Sequence, residues 1–144
     1  MLVRKMTIED IDELAKLYEQ FWHENSCPEK IRIQFKKLER SDAHIFLSAV
    51  ENNRLIGSVT GIVCEDLYGD CRPFLLIENM IVAQDKRRQG VGSALLRELE
   101  RMSREKNCAQ VILVTEKNRQ AACKFYEASG FSAGVNKGYK KKLH

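Results

Sequence analysis

Val82-Ala83-Gln84-Asp85-Lys86-Arg87-Arg88-Gln89-Gly90-Val91-Gly92-Ser93-Ala94-Leu95-Leu96 runs from the end of an apolar strand, through a basic turn containing glycine, into a helix. Val91, Ala94, Leu95, Leu99 and Met102 recur at helical spacing after the turn and supply one apolar face. The first backbone N–H groups of a helix lack intrahelical partners and stand at the positive end of its dipole, so they hold anions well. Gly90 and Gly92 remove the Cβ atoms that would obstruct a phosphate, and Lys86, Arg87 and Arg88 stand just before them. The same residues also suit an ordinary strand-to-helix turn with a solvated basic face. Two nucleotide motifs are excluded: a dinucleotide fingerprint needs a small residue where Leu95 stands, and a P-loop needs Gly-Lys-Ser/Thr.

Before this turn, residues 74–83 read as a buried strand interrupted by Glu78 and Asn79, and residues 111–115 as a second strand beyond the helix. A strand, helix, strand unit of this length predicts a parallel pair joined by a right-handed crossover. A helix follows from about Asn118 to Ser129, stopped by Gly130. On the other side, residues 45–50 and 55–64 flank Glu51-Asn52-Asn53-Arg54, a hairpin-turn composition. The chain starts with a short strand near residues 2–6. Thr7 and Asp10 then form a capping-box-like start to a helix over about 8–24, with Ile8, Ile11, Leu14, Ala15, Tyr18, Phe21 and Trp22 on its apolar stripe. Pro28 opens a second helix through Ile31, Phe35 and Leu38, ending near Ser41. Gly134, Asn136, Lys137 and Gly138 suggest the turn of a final hairpin ending in residues 139–143. No repeat or linker interrupts the order, so a single domain over residues 1–144 of mixed α and β class is expected.

The composition agrees with a compact globular chain: 144 residues, 44% hydrophobic and 31% charged. Lys plus Arg exceed Asp plus Glu by 24 to 20, a balance that suits a polyanionic ligand but falls short of a dedicated nucleic-acid binder. The 5 cysteines are odd in number and form no C-x-x-C pair, so they read as reduced thiols. No signal-peptide pattern and no long apolar run is present, which predicts a cytoplasmic protein without a membrane partner. His23, His44 and His144 have no metal-ligand spacing, and His23 with Cys27 lacks a third orienting group, so neither a metal site nor a Cys–His nucleophile is expected.

The pattern Arg87-x-x-Gly90-x-Gly92 after an apolar strand resembles the acyl-CoA motif of the GNAT superfamily of N-acetyltransferases. Ile77-Glu78-Asn79-Met80-Ile81-Val82 is similar to that superfamily's central strand. The segment from Asn118 through Ala121, Ala122 and Tyr126 to Gly130-Phe131 is similar to its later signature, and the order of elements agrees. The resemblance implies a three-layer α/β acyl-CoA N-acyltransferase fold. Its mixed, mostly antiparallel sheet would have about six or seven strands, with a parallel pair that splays after a bulge in the central strand. It also implies acetyl-CoA as co-substrate. The pyrophosphate would lie on the amides of Arg88, Gln89, Gly90, Val91, Gly92 and Ser93, with Arg87 leading the motif. The pantetheine arm would run beside Met80, Ile81 and Val82 as an added strand. A free amide at Ile81 or its neighbour Met80 would polarise the thioester carbonyl. Asn118 is either a simple N-cap or both a cap and a pantetheine contact.

Glu78 is the candidate base for the incoming ammonium, directly or through water, because a carboxylate within an apolar strand is costly to bury without purpose. Its structural alternative is a carboxylate bonded to nearby backbone or to Arg72, and Glu65 or Asp66 are possible replacements. Tyr126 stands where the superfamily commonly has a tyrosine whose hydroxyl meets the departing sulfur. By helical spacing alone it is a core aromatic beside Ala122. The resemblance places the acceptor near residues 21–29 and 132–139. There Tyr18, Trp22, His23 and Glu24 are lining candidates, although most of the aromatics also fit the core stripe.

The reaction implied is direct transfer to a primary amine without an acyl-cysteine. The amine is expected to belong to a small molecule such as a polyamine, amino sugar, aminoalkyl compound or aminoglycoside; the alternative is a protein N-terminus or lysine. A reading of another class is a non-catalytic module that binds acyl-CoA, or nucleic acid through Lys137, Lys140, Lys141 and Lys142. Those lysines alternate across a strand and fit a solvated edge better than a phosphate track, so no nucleic-acid partner is expected. Because the superfamily often pairs through terminal strands, a homodimer is expected.

Overall fold

A computed structural model describes residues 1–144, which divide into two compact units, Met1–Ile112 and Leu113–His144. The first unit is built on five strands in the order of the chain: β1 (Leu2–Lys5), β2 (His44–Glu51), β3 (Arg54–Cys64), β4 (Phe74–Val82) and β5 (Val111–Ile112). Its helices are α1 (Ile11–Trp22), α2 (Pro28–Leu38) and α3 (Val91–Glu105), and the second unit holds α4 (Gln120–Ala128). No helix is long and apolar enough to cross a membrane.

The first three strand pairings are antiparallel and the fourth is parallel, as the crossover rule requires. The β2–β3 turn places Asn52 and Asn53 at φ +50° and +60°, the left-handed pair that a two-residue hairpin needs and that asparagine tolerates. The parallel pairing is brief, confined to Leu75 opposite Val111 and Leu76 opposite Ile112.

The sheet has five strands rather than six or seven because the terminal hairpin does not form. Residues 132–144 hold no strand and are exposed throughout, with Val135, Tyr139 and Leu143 at 78%, 86% and 82% exposure. On a strand, Tyr139, Lys141 and Leu143 would share one face. That face carries a lysine at its centre and is not buried, so nothing sets a register. The strand on which the expected pairing of two copies rested is therefore absent.

Two glycines let α3 sit directly on β3. A Cβ at Gly57 would stand 2.9 Å from Val91 Cγ1 and 3.1 Å from the Ile81 carbonyl, and one at Gly61 would stand 2.7 Å from Leu99 Cδ1. Ile81 pairs with Ser58 and so faces away from α3. It joins Met6, Ile11, Leu14, Leu17, Phe35, Leu55 and Ala83 in a cluster contributed largely by α1 and α2. Helices thus cover both faces of the sheet, giving three layers.

Within this second layer lies a buried polar knot. Asp10 is 6% exposed and accepts two hydrogen bonds from Arg4, at 2.7 and 2.9 Å, one from the Thr7 amide at 3.0 Å and one from the Ser48 hydroxyl at 2.9 Å. Burial alone would raise the Asp10 carboxyl, but these donors, led by Arg4, hold it below its ordinary value. Asp10→Asn should destabilise the fold by about 2–4 kcal/mol, since it leaves Arg4 without its partner. The Asp10 pKa is depressed in the folded state, so its contribution is complete above the ordinary value of 3.8 and is lost as pH falls below it. Denaturant unfolding at pH 7 and pH 3 should show a large gap between wild type and variant at the first pH and a smaller one at the second.

Candidate active site

After Val82 the chain holds sheet-like geometry for one more residue, the Ala83 amide bonding the Ile56 carbonyl at 2.8 Å, then makes a single 3-10 turn over Gln84–Lys86. Arg88 and Gly90 follow at φ +61° and +83°, and Gly90 occupies the N-cap of α3. The first bond of the helix runs from the Ala94 amide to the Gly90 carbonyl at 3.0 Å. The amides of Val91, Gly92 and Ser93 therefore have no helical acceptor and project from the helix end. A Cβ at Gly90 would meet nothing within 4 Å, so open space lies above this cluster of donors. A phosphate group fits such a cradle in both charge and clearance.

The three cations before the turn do not act alike. Lys86 is paired with Glu51. Arg87 lays its guanidinium 5.2 Å from the centre of the Phe21 ring and donates from Nε to the Val82 carbonyl at 3.4 Å. Arg87 and Arg88 are both exposed and neither makes an ion pair, so only Lys86 is neutralised by a carboxylate, while Arg87 is held by the Phe21 ring. Gln89 folds back, its side-chain amide donating to the Asp85 carbonyl at 3.0 Å.

The bulge expected in the central strand lies at Asn79 and Met80. Thr60 opposes Glu78 and Ser58 opposes Ile81, so Val59 faces two residues of β4. Asn79 takes φ +52°, the left-handed geometry that asparagine tolerates better than most residues. From Ile77 onward the outer edge of β4 has no strand partner, because the ladder with β5 ends at Leu76. Met80, Ile81 and Val82 thus lie on an unpaired strand edge beside a bulge.

Glu78 corrects the argument made for it from sequence: it is exposed, not buried. The layer formed by α1 and α2 meets β4 at Ile81 and the chain just beyond it at Ala83, leaving the Glu78 position open to solvent. It accepts no hydrogen bond from backbone or from Arg72, whose guanidinium donates instead to the Asn107 and Cys108 carbonyls at 3.1 Å each. Glu78 stands in a row with Thr60 and Phe46 on the α1 and α2 side of the sheet. Asp66, named as a replacement, accepts the Tyr68 amide at 3.2 Å within its own loop. That loop borders a cleft at the opposite end of β4, lined by Asp66, Asp70, Arg72 and Gln110, which contains none of the other predicted site residues.

The aromatics at the end of α1 pack on one another, with Tyr18 and Phe21 5.3 and 5.0 Å from Trp22. Tyr18 and Phe21 lie against the core cluster, and burial pushes the Tyr18 phenol up to about 12. Trp22 keeps 38% exposure, and the chain leaves the helix through His23 at φ +57°.

In the second unit, α4 ends in a Schellman motif. The Phe131 amide bonds the Tyr126 carbonyl and the Gly130 amide bonds the Glu127 carbonyl, both at 3.1 Å, with Gly130 at φ +94°. The ring contact that accompanies such an ending is Tyr126 against Phe131, edge to face at 5.8 Å. The Tyr126 ring is thereby held by the helix stop itself. Burial raises its phenol above the ordinary 10.0, opposed in part by Arg119, so the hydroxyl remains a proton donor at neutral pH. Asn118 is not the cap of this helix. The turn closed by the Arg119 amide on the Glu116 carbonyl at 3.1 Å moves the cap to Arg119 and leaves Asn118 exposed within the turn.

Sequence reasoning missed Glu51 and Arg54, which hold the two residues before the motif arginine. No local signal could have found them, since each contact joins segments more than thirty positions apart.

The acetyltransferase (GNAT) family model matches residues 10–131, a span that includes the bulge, the glycine turn and the Tyr126 helix. Streptothricin acetyltransferase A of Bacillus subtilis (strain 168) is 31% identical over 98 residues, covering 68% of this chain and 53% of that protein. The chain thus matches about half the length of that relative. An acetyltransferase candidate from Agrobacterium tumefaciens strain C58 superposes with a TM-score of 0.91 at 22% identity, covering 99% of this chain and 100% of that one. Glucosamine-6-phosphate N-acetyltransferase from Arabidopsis thaliana does so at 0.83 and 20%, covering 99% and 97%. The five-stranded sheet with helices on both faces is the fold of these acetyltransferases, and the chain belongs to the GNAT acetyltransferase family.

Proposed function

We propose that this protein transfers the acetyl group of acetyl-CoA directly to a primary amine of a small molecule. The observation that carries the proposal is the left-handed Gly90 at the cap of α3, which opens the amides of Val91, Gly92 and Ser93 to an anion at the end of a bulged strand. In this reading those amides, with Arg88, Gln89 and Gly90, hold the pyrophosphate, and Arg87 props the turn through Phe21. The unpaired edge at Met80, Ile81 and Val82 takes the amide-bearing pantetheine arm, and Asn118 contacts that arm. Acetyl-CoA supplies an acetyl group on a good leaving thiol. Glu78, solvated and free of structural bonds, accepts the ammonium proton directly or through water, and the Tyr126 hydroxyl, kept protonated by burial, donates toward the sulfur.

A small-molecule acceptor is favoured by the relatives, whose names denote acetyl transfer to streptothricin and N-acetyl transfer to glucosamine-6-phosphate. A panel of polyamines, amino sugars, aminoglycosides and peptides with free N-termini or lysines, assayed by thiol release, tests the proposal. Release with one or more small amines and none with peptides is expected. Release with peptides alone would make the acceptor a protein, and binding of acetyl-CoA with no release from any amine would leave a non-catalytic acyl-CoA binder.

A further inference from the structure

The turn that forms the cradle is tied from outside by the β2–β3 hairpin. Arg54 grips Asp85 with both terminal guanidinium nitrogens, at 2.7 and 2.9 Å, and Lys86 pairs with Glu51. Glu51 and Arg54 are the last residue of β2 and the first of β3, on either side of the Asn52-Asn53 turn and opposite each other in register. Asp85 and Lys86 are consecutive within the 3-10 turn. Four charges of alternating sign therefore close a double clamp, and its bidentate half fixes direction as well as distance. The carbonyl of the clamped Asp85 in turn accepts the Gln89 side chain, the residue just before Gly90.

We propose that Glu51, Arg54 and Asp85 are positioning residues for coenzyme A, holding the 84–90 turn in the conformation that presents the α3 amides, and that Lys86 serves this clamp rather than the phosphate. The inference rests on the acetyl-CoA reading of the cradle. Glu51 and Asp85 are carboxylates beside an anion site, so Coulomb repulsion alone says that neutralising them should tighten binding of a polyphosphate. A clamp requires the opposite, because losing either carboxylate frees the turn even as it removes a repelling charge.

Calorimetric titration of the intact protein with coenzyme A decides between them. Glu51→Gln and Asp85→Asn should each weaken binding about threefold, and the pair together about tenfold, the size of effect that exposed ion pairs carry. Arg54→Gln should cost about threefold in the wild-type background and less than twofold once Asp85→Asn is present, since its direct bond to the turn is then already cut. Titration with pantetheine, which lacks the phosphates, should be unchanged in all variants, and thermal unfolding midpoints should move little. Binding as tight as wild type or tighter in Glu51→Gln and Asp85→Asn would overturn the proposal. So would an equal cost for Arg54→Gln in both backgrounds, or a matching loss of pantetheine binding. Failure of the wild-type protein to bind coenzyme A would instead defeat the reading of the cradle itself.

Discussion

Glu78→Gln and Tyr126→Phe are each expected to lower turnover by about 10²- to 10⁴-fold once an acceptor is in hand, the range for loss of one general acid or base. Affinity for acetyl-CoA should change little in either. The two variants are well suited to the purpose because neither side chain holds the fold through the group removed. Glu78 is exposed and bonds no neighbouring backbone, and phenylalanine at 126 keeps the ring contacts with Phe125 and Phe131 that close α4. Because burial lifts the Tyr126 phenol above 10.0, loss of this donor should depress the rate only at a higher pH than an ordinary phenol would. Full activity in both variants, or an acetyl group trapped on Cys27 or Cys123, would mean that the chemistry belongs to other residues.

Gly90→Val is expected to abolish measurable acetyl-CoA binding at concentrations about 100-fold above the wild-type Kd, while the protein stays folded. Two effects act together. Valine at φ +83° is strained by its branched Cβ, and that Cβ enters the open space above the helix amides where a phosphate would lie. Gly90→Asn separates them, since asparagine tolerates the left-handed region but still carries a Cβ. Its affinity should fall with far less effect on the unfolding midpoint. A folded Gly90→Val protein with unchanged affinity would remove the phosphate cradle from the account.

The parts of the fold that sequence reading anticipated are those decided locally. The Asn52-Asn53 hairpin, the Asp10 reach-back to Thr7 and the Gly130 stop each depend on residues a few positions apart, and the crossover through α3 follows from the order strand, helix, strand. The bulge was expected from the family likeness, and the structure places it at Asn79 and Met80, the second of which is one of the two positions expected to carry the free amide. What escaped depends on what lies across the molecule. Glu78 looked costly because its neighbours are apolar, but whether a strand position is buried is settled by the layer above it, and α1 and α2 leave that position uncovered. Lys86 and Arg87 looked like phosphate ligands because they precede Gly90, yet Glu51 and Phe21 occupy them. The terminal hairpin failed for the converse reason: its turn composition was right, but no buried face was available to make the strands worth forming.

The brevity of the β4–β5 ladder has a consequence for the chain's solvent exchange. β4 is an inner strand, bonded along most of its length to β3, yet beyond Leu76 every second amide points to an edge with no ladder partner. In a hydrogen–deuterium exchange experiment a strand in this position normally exchanges as one slow block. Here it should divide, with the amides turned toward β3 protected at the level of global unfolding and those on the other edge protected only by whatever molecule occupies it. The alternate amides of residues 77–82 would then serve as a residue-by-residue gauge of occupancy, slowing together when an acyl carrier binds and recovering together when it leaves.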